Sequence, residues 1–219
     1  MVFSRARHED ASLHLDGVRI ERVTSIKYLG YLITEDLNPD REIKRRIEMA
    51  RAIFNKMRAF FCDNNLNLKL RRRMVKCYVW LMLWYGVEAW TFRVGTINRL
   101  EAFEMWALRR MLRISWIDRI TNGSVLERAG ARRELLTIVK CRKIEYLGFE
   151  RRNVPPSFQL ILKGRIEGRR GLRRKKLSWL RNIRTWTGIR RAEELFRMAV
   201  NRITMVRVIA NVRGIGQGT

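Results

Sequence analysis

Residues 38–61 read NPDREIKRRIEMARAIFNKMRAFF and carry the period of an α-helix. Asn38 can cap the first turn, and Pro39 suits a position just inside it. Asp40 and Glu42 then favour the positive end of the helix dipole. Apolar residues recur at alternating spacings of four and three, at Ile43, Ile47, Ala50, Phe54, Met57 and Phe61. This spacing places them on one stripe, so it predicts an amphipathic helix with one buried face.

The helical period also dominates the rest of the chain. Further helices are expected over residues 68–90, 97–113, 122–129, 132–151, 177–186 and 192–211. Within the helix over 97–113, the predicted inward positions are Leu100, Phe103, Ala107 and Met111. Pro155 and Pro156 are expected to halt the fourth long helix, and residues 158–170 are expected to be extended. The body of the protein is therefore predicted to be a helical bundle.

The N-terminal part follows a different pattern, which is typical of strands. Polar and apolar residues alternate over 12–15 and 18–23, and Asp16-Gly17 between them is a strong hairpin turn signal. Residues 25–34 predict a third strand with a bulge or close backbone approach at Gly30. Three short strands would form one small sheet. The predicted fold class is α+β, predominantly α, with a short β-hairpin or sheet preceding the helices.

Charge points to a polyanionic partner. The chain of 219 residues has 47 Lys and Arg against 21 Asp and Glu, a formal net charge of +26. Such an excess favours DNA or RNA as the partner, with an anionic membrane surface as the competing reading. Arginine predominates, and its planar guanidinium suits phosphate contacts and base stacking, which favours nucleic acid. The most apolar run, residues 77–87, is too short to span a membrane and is read as a buried helix.

Cysteine and histidine exclude two classes of stabilising site. Cys62, Cys77 and Cys141 are odd in number and widely spaced, unlike a disulfide framework or a zinc motif. His8 and His14 lie together near the N-terminus, so no four-ligand zinc set is available. Residues 1–7 lack the apolar core of a secretory signal. The expected location is the nucleus, the cytoplasm or both.

Several basic clusters are candidate nucleic-acid-binding residues. The C-terminal residues 164–219 hold 15 Lys and Arg against only 3 acidic residues, so intramolecular pairs cannot neutralise them all. Solvated surface is the alternative reading. Of the tryptophans, Trp80, Trp84 and Trp106 are expected to pack in the core, whereas Trp179 is open to stacking on a base. The candidates are Lys44, Arg45, Arg71, Arg72, Arg73, Arg109, Arg110, Arg113, Arg169, Arg170, Arg173, Arg174, Lys175, Lys176 and Trp179.

Several short strings together resemble one family. In the N-terminal third they are IERV at 20–23, YLG at 28–30, LITED at 32–36 and EIKRRI at 42–47. Further on they are VKCYVW at 75–80, YGVEAW at 85–90, RLEAFEMW at 99–106, RRMLRISW at 109–116, KKLSWL at 175–180 and IANVR at 209–213. Each string is weak alone. Combined over almost the whole chain, they resemble the C-terminal part of non-LTR (LINE-type) retrotransposon reverse transcriptases, particularly RTE- and Jockey-like elements.

This resemblance implies a division of the chain and a role. Residues 1–37 would be a remnant of the palm, 38–116 a thumb-like helical bundle and 117–219 a basic C-terminal helical region. Tyr28, Leu29 and Gly30 would correspond to the primer grip; packing in an ordinary sheet core is the alternative reading. The implied partners are an RNA template and a DNA primer, and the implied role is a template and primer clamp.

The resemblance also implies that the chain is inactive by itself. Polymerisation uses two Mg²⁺ ions held by carboxylates, which the family supplies from a Tyr/Phe-Ala-Asp-Asp motif. That motif is absent here, and the adjacent acids Glu9-Asp10 and Glu35-Asp36 are not expected to bind metal. The implied catalytic motif would lie upstream of Met1, or in a separate palm and fingers part, so no cofactor is expected in this chain. A co-opted DNA- or RNA-binding scaffold and a non-functional relic are the alternative readings.

Overall fold

A computed structural model describes residues 14–36, 38–153 and 179–214, and for residues 149–153 it describes the backbone alone. The fold is α+β and predominantly α, as the sequence predicts. Two small antiparallel hairpins come first, and the helices follow them. The predictions for residues 158–170 and for Pro155 and Pro156 concern residues outside this description.

The hairpins form two separate sheets. β1 (His14–Leu15) pairs with β2 (Val18–Arg19), and β3 (Ser25–Tyr28) pairs with β4 (Tyr31–Thr34). The single three-stranded sheet predicted from the sequence is therefore wrong. Leu29 and Gly30 have φ of 46° and 77°, which makes them the central residues of a tight hairpin turn and not a bulge within one strand.

The first helix begins where the sequence indicates but ends early. α1 spans Asp40–Lys56 and α2 spans Arg58–Phe61. Asn38 Oδ1 accepts a hydrogen bond from the Asp40 amide at 3.1 Å, which satisfies one free donor of the first turn. The predicted stripe is confirmed as buried, apart from Met57, which is partly buried at the break between the helices.

The next helices surround the main core. α3 spans Leu68–Met74 and continues through a π-helical turn, Val75–Val79, into α4, Trp80–Trp84. The helix predicted over 68–90 ends here because Tyr85 is extended and Gly86 has φ of 69°. After the short 3-10 turn Val87–Ala89 comes α5, Val94–Met111. Its four predicted inward residues are confirmed as buried.

Five further helices complete the described structure. They are α6 (Asn122–Arg128), α7 (Leu135–Asn153), α8 (Trp179–Thr187), α9 (Ala192–Val200) and α10 (Arg202–Arg213). The single helix predicted over 192–211 is divided at Asn201. The Asn201 side chain accepts hydrogen bonds from the amides of Ile203 and Thr204 at 3.0 and 3.1 Å, so it caps a new helix.

Helix α7 joins two hydrophobic cores. Its first half contributes Leu135 and Val139 to the main core built by α1 to α5. Its second half contributes Ile144 and Leu147 to a C-terminal core shared with α8, α9 and α10. A smaller apolar cluster lies under α6. Among the described residues, no helix combines the length and apolar character needed to cross a bilayer.

Candidate nucleic-acid interface

A basic cleft lies between α2, the C-terminal end of α5 and the loop that follows α5. It is an open cleft of about 1190 Å³. Its lining includes two tryptophans, Trp106 and Trp116, and it includes no acidic residue. The lining also includes five arginines, Arg58, Arg109, Arg110, Arg113 and Arg119. We call this site the arginine cleft.

Hydrogen bonds fix the loop over residues 112–120 at both ends. The Arg113 guanidinium donates from Nε and Nη2 to the Cys62 carbonyl oxygen, at 3.2 and 3.0 Å. At the other end, Arg109 Nη2 donates to the Ile120 carbonyl oxygen at 2.7 Å. Arg113 and Arg119 both have positive φ, 56° and 48°, which side-chain-bearing residues adopt rarely. Such a conformation persists only where the surrounding contacts impose it.

The same loop carries an exposed aromatic residue at its tip. The Ser115 amide donates to Asp118 Oδ2 at 2.8 Å, and the Arg119 amide donates to the Trp116 carbonyl oxygen at 3.3 Å. This turn leaves Trp116 85% exposed and Ile117 69% exposed. The loop therefore presents an indole ring to solvent beside the arginines.

The charges of the cleft are uncompensated within the described part of the chain. There, none of the five arginines forms an ion pair with an acidic side chain. Arg58, Arg110 and Arg119 are exposed. The Arg110 guanidinium lies 5.5 Å from the ring centre of Trp106, which in turn packs on Phe54. Phosphate oxygens are the natural counter-charges for such a group of arginines.

The three consecutive arginines Arg71, Arg72 and Arg73 differ in burial and in contacts. Arg71 is 6% exposed and donates to the carbonyl oxygens of Phe61 and Met111, at 3.2 and 3.0 Å. Arg72 forms an ion pair with Glu134 at 3.1 Å, and only Arg73 is exposed. The structure therefore gives Arg71 an internal role, and the interface that we propose does not include it.

Lys44 and Arg45, which were also predicted to bind nucleic acid, differ in exposure and in contacts. Lys44 is exposed, whereas Arg45 turns toward the β3–β4 hairpin. Arg45 and Arg46 each donate to the Gly30 carbonyl oxygen at 2.6 Å, and both bind the fully buried carboxylate of Glu42. Burial alone would raise the pKa of Glu42, but the hydrogen bonds from both arginines outweigh it and hold that pKa below its usual value.

The predicted primer-grip residues form the exposed tip of this anchored hairpin. Tyr28 is 60% exposed and Leu29 is 74% exposed, so neither packs in a sheet core. The Tyr85 hydroxyl donates to the Leu29 carbonyl oxygen, and the Arg46 guanidinium lies 4.3 Å from the Tyr85 ring centre. The turn is thereby held against α1 and the end of α4. Its role as a primer grip stays a prediction.

Trp179 is bound within the fold. Its indole Nε1 donates to the Glu88 carbonyl oxygen at 2.6 Å, and its ring centre lies 4.9 Å from Lys143 Nζ. The remaining predicted basic residues, Arg169, Arg170, Arg173, Arg174, Lys175 and Lys176, lie outside the described residues.

Of the two acidic pairs considered for metal binding, the structure describes only Glu35-Asp36. Asp36 Oδ1 accepts from the Thr34 hydroxyl at 2.6 Å and from the Asn38 amide at 3.1 Å, in a turn that leads into α1. The hydrogen bond from Thr34 holds the pKa of Asp36 below its usual value. Glu9 and Asp10 lie outside the described residues. Within residues 14–36, 38–153 and 179–214, no group of three or more potential ligand side chains could hold a metal ion.

Sequence reasoning missed three members of the arginine cleft. Arg58 and Arg119 are single arginines far apart in the chain, whereas the prediction relied on runs of basic residues. Trp116 follows the last turn of α5 and was not among the predicted site residues. The one available signal was the position of Trp116 just beyond the apolar period of α5, among basic neighbours.

Comparison with known proteins returned no relative. A scan against protein-family models found no matching family, and searches of curated proteins and of solved structures found no match.

Proposed function

We propose that this chain is a nucleic-acid-binding module that holds phosphate backbones and does not itself catalyse polymerisation. The observation that carries the proposal is the arginine cleft, where five arginines and an exposed tryptophan meet without an acidic side chain in the lining. Guanidinium groups bind phosphate oxygens in planar, paired geometry. Contacts of this kind fix a strand in place without reading its sequence.

The net charge of the chain supports the same proposal. A formal charge of +26 attracts polyanions over long range and raises the rate of encounter. Once bound, each neutralised phosphate releases condensed counter-ions, so affinity falls with salt. If the five arginines of the cleft all contact phosphate, a plot of the logarithm of the binding constant against the logarithm of the salt concentration should have a slope of about −3 to −5.

The resemblance to LINE-type reverse transcriptases supports a narrower form of the proposal. In it, the chain clamps an RNA template and a DNA primer, and the β3–β4 hairpin holds the primer end. The Asp-Asp motif and its Mg²⁺ ions would come from another part of the enzyme, acting in the nucleus or cytoplasm. The anchoring of the hairpin turn by Arg45, Arg46 and Tyr85 is compatible with that role, because a primer end needs a rigid support.

A second candidate function is binding to an anionic membrane surface. It is favoured by one face near the C-terminus, where Ile203 and Val206 of α10 are 68% and 61% exposed. Arg202 and Arg207 flank them. Apolar side chains beside cations are typical of interfacial helices. Co-sedimentation with anionic vesicles, compared with binding to a nucleic acid of equal charge concentration, separates the two functions.

The proposal is tested by measuring binding of the whole chain to labelled DNA and RNA over a series of salt concentrations. We expect binding at low salt that weakens steeply as salt rises. Binding that is absent at low ionic strength, or insensitive to salt, contradicts the proposal.

A further inference from the structure

We propose that Trp116 is a base-stacking platform, so that the arginine cleft prefers unpaired nucleotides of DNA or RNA over a duplex. This inference rests on the proposed nucleic-acid binding and names the form of nucleic acid that the site takes. The juxtaposition behind it is an exposed indole on a fixed loop beside arginines that form no ion pair with any described residue.

The first step is the exposure of Trp116. At 85%, its exposed fraction is the highest among the large apolar side chains of the described residues. An indole in water forgoes the apolar burial that usually stabilises tryptophan. Trp90, by contrast, is fully buried. Exposure at this position is therefore a feature that binding would use.

The second step is the fixed geometry of the loop. One end is held by Arg113, which donates to the Cys62 carbonyl oxygen, and the other by its Ile120 carbonyl oxygen, which accepts from Arg109 of α5. Asp118 accepts from the Ser115 amide and closes the turn that carries Trp116. A platform held in this way loses little conformational freedom when a ring stacks on it. Arg113 and Arg119 both have positive φ, which non-glycine residues adopt rarely.

The third step is the identity of the occupant. A ligand that fits the cleft must offer both an aromatic face for Trp116 and anionic groups for Arg58, Arg110 and Arg119. A nucleotide carries the two together, since every base has a π-face and every linkage a phosphate. In a duplex the base faces are covered by their neighbours, so only unpaired nucleotides present them. The second tryptophan of the cleft, Trp106, is already packed between Phe54, Phe103 and the Arg110 guanidinium.

The contacts described do not distinguish the 2′-hydroxyl of RNA from the hydrogen of DNA. Stacking and phosphate binding act on both sugars alike. We therefore expect oligothymidylate and oligouridylate to bind with similar affinity. A large preference for either would mean that another group reads the sugar.

The test measures the affinity of the whole chain for four labelled ligands of equal length. They are oligothymidylate, oligouridylate, a fully abasic strand and a blunt duplex. The abasic strand keeps the phosphates and removes the bases, so it isolates stacking. The variants are Trp116→Ala, Trp116→Leu, which keeps apolar bulk without a π-face, and Trp116→Phe, which keeps a π-face.

We expect Trp116→Ala and Trp116→Leu to weaken binding of both single strands about tenfold. The same variants should leave the abasic strand and the duplex within about twofold of the wild type, because phosphate contacts are unchanged. Trp116→Phe should retain most of the single-strand affinity. Thermal unfolding should be unchanged for all three, since the side chain is exposed.

Two outcomes overturn the inference without touching the proposed function. One is an equal loss of affinity for the abasic and base-containing strands, which would give Trp116 a structural role only. The other is wild-type affinity in the Ala and Leu variants. A wild-type chain that binds none of the four ligands would instead remove the proposed function itself.

Discussion

Lys143 Nζ lies 2.6 Å from the carbonyl oxygen of Trp90, in a fully buried space between α7 and α8. The same ammonium nitrogen donates to Asn182 Oδ1 at 3.1 Å, and Asn182 binds the amide and carbonyl groups of Phe92 at 2.8 and 2.9 Å. This network joins the C-terminal helices to the segment that precedes α5. It is one of the polar connections at the junction of the two main cores.

Lys143 should make stability depend on pH. Burial lowers the pKa of Lys143 from 10.5 to about 7. Between these two values the unfolded chain binds a proton that the folded chain lacks, so the free energy of unfolding should rise with pH. The largest slope from this one group is about 1.4 kcal/mol per pH unit. Urea unfolding across this interval measures it.

The variant Lys143→Met is the matched control for that pH dependence. It fills similar volume and cannot titrate, so its slope over the same interval should be smaller than that of the wild type. An identical slope in wild type and variant would show that Lys143 is not the group responsible.

Glu42 should stabilise the fold through its two arginine partners. Its side chain is fully buried and accepts from Arg45 and Arg46 at 2.7 and 2.6 Å. Replacing one member of a buried pair leaves the other charge unmatched, so Glu42→Gln should lower the free energy of unfolding by about 3 kcal/mol. Since the pKa of Glu42 is lowered in the folded state, its contribution is present above its unfolded pKa and lost in acid.

Glu48→Gln on the same helix is the control for Glu42. Glu48 pairs with Arg51 at 3.2 Å, and its side chain is 67% exposed. The loss there should be under about 1 kcal/mol, as for other exposed pairs. Equal effects of the two substitutions in urea unfolding would contradict the buried network.

Substitutions at Arg71 and Arg73 should have different effects on the stability of the fold. Arg71→Met would leave three carbonyl groups without their donor, so we expect a loss of unfolding free energy of about 3 kcal/mol. Arg73→Met removes an exposed side chain and should change stability by under about 0.5 kcal/mol. A stable Arg71→Met protein with reduced nucleic-acid affinity would reverse this assignment.

Local pattern was enough to predict much of the fold. The stripe from Ile43 to Phe61 and the inward face of α5 follow from periodicity alone, and Asp16-Gly17 carries its own turn signal. The break at Asn201 was missed because apolar spacing continues across it, while the side chain caps a new helix. The sequence predicted one sheet because residues 25–34 were taken as a single strand. The turn within them was missed because Leu29 takes a positive φ that a leucine seldom adopts.

Long-range contacts explain why the candidate site was predicted only in part. Arg109, Arg110 and Arg113 form a visible run, and the structure places them in one cleft. Arg58 and Arg119 join them from other elements, which no local pattern indicates. Arg71 was predicted to bind nucleic acid from its basic run, yet it is buried because carbonyl oxygens of Phe61 and Met111 accept its hydrogen bonds.

The central claim, that the arginine cleft binds nucleic acid, is tested most directly by two triple variants of equal charge. One replaces Arg58, Arg110 and Arg119 with glutamine. The other replaces Arg99, Arg184 and Arg197, which are exposed on α5, α8 and α9 outside the cleft lining. The measurement is the affinity for one labelled single strand across a salt series.

We predict that the cleft variant weakens binding about a hundredfold at low salt and reduces the salt slope by about 2. The control variant should weaken it by less than about fivefold, through the loss of net charge alone. Equal losses in the two variants, with both proteins folded, would contradict a defined interface and leave only a diffuse attraction between charges.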